Sequence, residues 1–128
     1  MKIFGPRPAK VFINEKEIAF STTPLLGYAF LEMELFEFLN ALDVEYIFDK
    51  EYKIIRFNGL SMQMEEGKDG LFEMQILKDG KLVDYVGNVK KSEGKYIGNL
   101  WLYSGLDTYL GYKIEFHFED YSVRFVKR

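Results

Sequence analysis

The sequence predicts an α+β domain in which two similar half-units each hold a helix against antiparallel strands. Three observations lead to it. The stretch LDVEYIFDKEYKIIRF (42–57) returns 68 residues later as LGYKIEFHFEDYSVRF (110–125), with Leu42/Leu110, Phe48/Phe116, Glu51/Glu119, Arg56/Arg124 and Phe57/Phe125 identical and Ile55/Val123 close. In both halves the apolar spacing passes from a helical to an alternating period. Aromatic residues make up 17% of the chain, with twelve Phe and nine Tyr, a bias toward side chains that suit a pleated sheet and fill a core with few residues.

Taken in order, VFINEKEIAF reads as a hairpin turning at Asn14-Glu15. A helix follows over residues 30–42, where Leu31, Leu35, Phe38, Leu39 and Leu42 form one stripe and Glu32, Glu34, Glu37 and Asn40 lie between them. It runs into the strand pair that ends at Phe57. Further strands are predicted around 60–65 and 71–77, split by a loop from Glu66 to Gly70. MQILKDGKLVDYV is the second hairpin, turning at Asp79-Gly80, a strong two-residue turn signal. Between the two hairpin turns the offset is 65, so the second half carries three extra residues before its helix, around KKSEGK.

That helix, over 99–110, sets Leu102, Leu106, Tyr109 and Leu110 on one side. In the last strand pair Tyr112, Ile114, Phe116 and Phe118 face one way and Lys113, Glu115 and His117 the other, with a turn near Glu119-Asp120 before YSVRFV. Each unit thus reads β-β-α-β-β, over about 10–58 and 71–127, with the antiparallel sheets packed around the two helices. Neither buries its apolar face alone, so both share one core in a single domain over 1–128.

Composition narrows the function classes. At 48% hydrophobic and 29% charged, the 128 residues suit one folded soluble domain. A net charge of -3 opposes a nucleic-acid partner held by phosphate neutralisation. With no cysteine, disulfides and thiolate chemistry are excluded and redox usage names no compartment. The start MKIFGPRPAK is broken by Gly5, Pro6 and Pro8 and does not read as a signal peptide; no window approaches a membrane span, so no membrane insertion is expected. The chain then belongs to the cytoplasm if Met1 is its native start. If it was excised from a longer exported protein, it belongs outside the cell or at the cell surface.

KVFINEKEIAF, Pro24, FLNALD, VEYIFDKEYKIIRF and the second LGYKIEFHFEDYSVRF together resemble the domain named after the N-terminal region of copper amine oxidases, in two divergent copies. In that family a strand, turn, strand and Pro lead to a helix, an acidic-aromatic strand and a closing strand. At the helix starts this chain has Met33-Glu34-Leu35-Phe36 and Trp101-Leu102-Tyr103-Ser104, without the Pro and Arg that the family carries there. The resemblance implies a stalk-like, non-catalytic module of exported bacterial proteins that binds a protein or a cell-envelope component.

Copper itself is not expected, since one histidine and no cysteine cannot furnish a set of imidazole or thiolate ligands. No metal, cofactor or catalytic set is predicted: His117 lies on the polar side of its strand, and no nucleophile elbow or phosphate-cradling loop is present. Met33 and Phe36 lie off the leucine stripe of the first helix, which suits burial between sheets or a self-association contact in a homo-oligomer. The alternative function is a small intracellular or phage-type protein that sequesters a small molecule such as a nucleotide. Its ring platform would be Tyr96, Trp101, Tyr103 and Tyr109, and its phosphate contacts Lys90, Lys91, Lys95 and Arg124.

Overall fold

The computed structural model describes residues 5–128. The first half of the chain forms β1 (Arg7–Pro8), β2 (Lys10–Ile13), β3 (Lys16–Ile18), β4 (Leu25–Gly27), β5 (Phe30–Glu34), α1 (Leu35–Ala41), β6 (Ile47–Asp49) and β7 (Ile54–Phe57). The second forms β8 (Leu60–Glu66), β9 (Leu71–Lys78), β10 (Lys81–Ser92), β11 (Lys95–Asn99), α2 (Leu100–Leu110), β12 (Tyr112–His117) and β13 (Ser122–Lys127). A 3-10 turn at Lys68–Gly70 separates β8 from β9.

Among the described residues two sheets form, in an α+β arrangement. The larger has nine strands in the order β1-β4-β5-β11-β10-β9-β8-β7-β6, and the smaller has four in the order β12-β13-β2-β3. All pairings are antiparallel except β13 with β2, which joins the end of the chain to its beginning in parallel register, Val123 beside Val11. Tight turns set the hairpins. Asn14-Glu15, Asn58-Gly59, Asp79-Gly80 and Glu93-Gly94 all hold both central residues at positive φ, the twist that a two-residue hairpin needs.

The first helix is much shorter than its leucine stripe predicts. Phe30–Glu34, expected as its opening turns, is strand β5, and the helix begins at Leu35. The five residues alternate as well as they spiral: Leu31 and Met33 are 1% exposed, and backbone pairing with β4 on one side and β11 on the other outweighs local preference. The simple β-β-α-β-β order is also replaced. β4 and β5 precede α1 and β11 precedes α2, while the hairpin after α1 joins the large sheet and the hairpin after α2 the small one.

Phe38 of α1 holds the layers together. It packs edge-on to Tyr103 of α2 with ring centroids 4.9 Å apart, and against Phe125 of β13 at 4.7 Å. Leu35, Leu39, Leu102 and Leu106 are fully buried around them, each contributing about 2 kcal/mol by removal from water. Two glycines let α2 come this close. A Cβ on Gly87, which has φ +50, would lie 2.1 Å from the Leu102 nitrogen, and one on Gly98 would meet the Tyr103 hydroxyl at 2.7 Å.

Candidate functional site

The best-formed recess surrounds the N-terminus of α2. The β4–β5 hairpin bends at Tyr28-Ala29, with Ala29 at φ 54, and brings its tip beside Leu100 and the end of β12. There Leu26, Phe30, Leu100, Phe116 and Phe118 wall an apolar hollow of about 270 Å³. It shares Phe30 and Leu100 with a second hollow of about 260 Å³ under Trp101. That one shares Glu32 and Asn99 with a third, of about 250 Å³, which adds Asn88 and Lys90. Together they form a graded groove, apolar at the phenylalanines and polar at the Lys90–Glu32 ion pair, whose atoms are 3.6 Å apart.

Two aromatic side chains stand above it with little cover. Tyr28 is 76% exposed at the hairpin tip and Trp101 is 66% exposed in the first turn of α2. Their backbone is firmly held. Asn99 caps α2 by accepting from the Leu102 N–H at 3.0 Å, and the same oxygen accepts from the Asn88 N–H at 3.0 Å. The loop side chains therefore sit on a pinned frame. A larger depression of about 610 Å³ lies where Glu45, Tyr46 and Ile47 meet Arg56 and the Asn58-Gly59 turn. It is built by one end of one sheet alone, without the convergence of separate elements that marks the groove.

Of the residues predicted to hold a ligand, Trp101 and Lys90 line this groove, and the other six lie elsewhere. Tyr103 is fully buried and donates to the Met33 carbonyl. Burial, reinforced by the charge of Glu34, pushes its phenol well above the ordinary range. Tyr96 is 9% exposed in a ring cluster with Phe36 and Phe48, with the Lys91 ammonium 5.6 Å over its face. Tyr109 donates to Asp84 at 2.8 Å, and this bond, then burial and the carboxylate's charge, raises its pKa. Lys95 bonds Ser21 at 3.2 Å and also Thr22.

Arg124 lies in the small sheet, 4.3 Å over the Phe12 ring and 3.1 Å from Asp120. The predicted ring platform and phosphate contacts are thus divided among several structural tasks. The pair proposed for self-association is divided too. Met33 is enclosed within β5, and Phe36 is covered by Tyr46, Phe48 and Tyr96, with its centroid 4.8 Å from that of Phe48.

His117 sits between two carboxylates on the polar side of β12, with Nε2 3.3 Å from Glu115 and Nδ1 3.1 Å from Glu119. Among the described residues no three His, Cys, Asp or Glu side chains gather as a metal centre. The site residues that sequence reasoning missed are Tyr28, Phe30, Glu32, Leu100, Phe116 and Phe118. The signal for Tyr28 was its place after Gly27 between two short apolar runs, a turn position where a large ring has nothing to pack on.

Fold and groove define an α+β domain with an exposed aromatic recess. No protein-family model, no curated protein and no solved structure matches the chain.

Proposed function

We propose that this chain is a non-catalytic binding module whose binding face is the groove at the start of α2, and that its occupant is an apolar segment of a partner protein or cell-envelope component. The observation that carries this reading is the pair Tyr28 and Trp101, exposed beside an apolar trough on a rigidly capped frame. Exposed rings of this kind supply contact area at small entropic cost and rank high among binding hot spots. Three of the side chains suited to proton transfer are engaged in structural bonds, which supports it as well. Tyr103 is bonded to backbone, Tyr109 to Asp84, and the Glu34 carboxylate to two backbone N–H groups.

The stalk-like role that the copper amine oxidase N-terminal-like resemblance implies belongs to the same reading, as does an origin from two divergent half-units. Strand, helix and hairpin follow one another in the same order at β5-α1-β6-β7 and at β11-α2-β12-β13.

The test compares partners retained by the wild type and by the Tyr28→Ala, Trp101→Ala double variant, both of which keep their buried core. A partner lost with the two rings supports the module. One retained equally by both forms overturns the assignment of the face. Trp101 is the sole tryptophan, so its emission reports occupancy directly.

The apolar end of the groove, a hollow of about 270 Å³, also favours a second reading, capture of a small molecule. Native mass spectrometry against the denatured mass separates the two: added mass that leaves on denaturation supports capture, and a bare chain mass opposes it.

A further inference from the structure

We propose that two copies of this chain join edge to edge through β12, with Ile114 of one copy opposite Ile114 of the other. Among the described residues the four sheet edges differ in what they offer. β1 has two residues and includes Pro8, while β3 and β6 have three each; β12 runs for six, from Tyr112 to His117. Short edges and proline resist strand addition, and a long regular edge invites it.

The direction of the open backbone groups follows from the pairing inside the sheet. Arg128 N–H donates to the Gly111 carbonyl at 2.9 Å, and along the ladder Lys113 faces Val126 and Glu115 faces Arg124. Lys113 and Glu115 therefore turn their N–H and C=O groups inward to β13, and Tyr112, Ile114 and Phe116 turn theirs outward. The Tyr112 carbonyl accepts from the Arg128 side chain at 3.2 Å. Among the described residues Ile114 and Phe116 have β13 alone as a strand neighbour, which leaves their outward groups to pair with a second copy.

Charge then selects the register. With Ile114 on a two-fold axis, Lys113 of each copy lies opposite Glu115 of the other, and Tyr112 lies opposite Phe116. A shift by one step either way sets Lys113 against Lys113 or Glu115 against Glu115, which is unfavourable. Within one chain Lys113 and Glu115 are 3.8 Å apart with side chains 65% and 37% exposed, a weak contact that is readily exchanged for one across the axis. The two small sheets become one continuous sheet. Phe116 also walls the groove, so the pairing edge adjoins it, but the register rests on Lys113 and Glu115, which lie outside the groove.

Sedimentation velocity and native mass spectrometry of the full chain test the proposal. The expected species has twice the 15.1 kDa chain mass. Lys113→Glu brings four carboxylates to the axis and should weaken the dimer by about tenfold or more. The double exchange Lys113→Glu with Glu115→Lys restores complementarity and should restore the dimer. A chain mass of one copy at every concentration up to the millimolar range overturns the proposal. So does a dimer indifferent to Lys113→Glu, or one that the double exchange fails to rescue. Circular dichroism of each variant confirms that the fold is kept.

Discussion

The Tyr103 hydroxyl on α2 donates its hydrogen bond to the Met33 carbonyl on β5, a contact between residues 70 apart in the chain. Gly98, paired with Met33 across the strands, makes room for the ring. Tyr103→Phe removes the bond from a buried carbonyl and should cost about 1 kcal/mol in urea unfolding at neutral pH. The pH dependence has a definite sign. The folded-state pKa lies above the ordinary value of 10.0, so the contribution is complete below about pH 10 and declines as pH rises toward the folded value. Wild type should therefore lose stability more steeply than Tyr103→Phe in strong alkali; parallel curves would contradict the assignment.

Glu34 ties strand, helix and neighbouring strand together. Its side chain is the N-cap of α1, accepting from the Glu37 N–H at 2.9 Å, and its second oxygen accepts from the Tyr96 N–H at 2.8 Å, with the residue 5% exposed. Glu34→Ala orphans both donors and should cost about 2–3 kcal/mol. Glu34→Gln keeps one acceptor and should fall between the two in chemical denaturation. Equal losses for both variants would mean that packing, not hydrogen bonding, sets the cost.

Two glycines at positive φ should respond very differently to alanine. At Gly87 the new Cβ meets the Leu102 backbone, so Gly87→Ala should destabilise by about 3 kcal/mol or more as α2 is pushed away. Gly59 has φ +74 with nothing within 4 Å of the added carbon, so Gly59→Ala should cost only the local strain of about 1 kcal/mol. Thermal melts of the two variants side by side decide it, and similar shifts would refute the close approach.

Asp120 contributes to the acid limb of the stability profile. It accepts from the Ser122 hydroxyl at 2.7 Å and from Arg124 at 3.1 Å, and the serine bond, followed by the arginine, lowers its pKa below 3.8. Its contribution is present above the unfolded value and fades as pH falls through the folded one. Wild type should exceed Asp120→Asn in stability near neutrality, and the gap should close in strong acid. A gap that persists in strong acid would exclude the carboxylate as its source.

The sequence made most of the strands legible because their turns are written in local chemistry. Asn14-Glu15, Asp79-Gly80 and Glu119-Asp120 all fall between strands, and β8 and β9 flank the expected loop at Glu66 to Gly70. The first helix was misread because Leu31, Leu35, Phe38 and Leu42 fit a spiral while Leu31 and Met33 fit a strand equally well. Pairing with β4 and with β11, the latter more than sixty residues away, resolves that ambiguity. The same distance hid the groove. Tyr28 and Phe116 line one hollow and Trp101 the adjoining one, from three separate elements that no periodicity links. Tyr96 and Tyr103, read as ligand contacts, are buried in the structure, and the sequence does not show this because a tyrosine that fills a core and one that stacks on a ligand look identical in a linear string.

The parallel pairing of β2 with β13 has a mechanical consequence. Tension applied at the two ends of the chain draws these neighbouring strands lengthwise in opposite directions, so the hydrogen bonds from Lys10 to Ile13 and from Ser122 to Phe125 bear load together in shear. Strands loaded this way give way all at once, whereas an antiparallel hairpin pulled from its open end unzips bond by bond. A domain strung between two points would hold its shape until that short clamp slipped, and single-molecule pulling should record one abrupt rupture in place of a gradual yield.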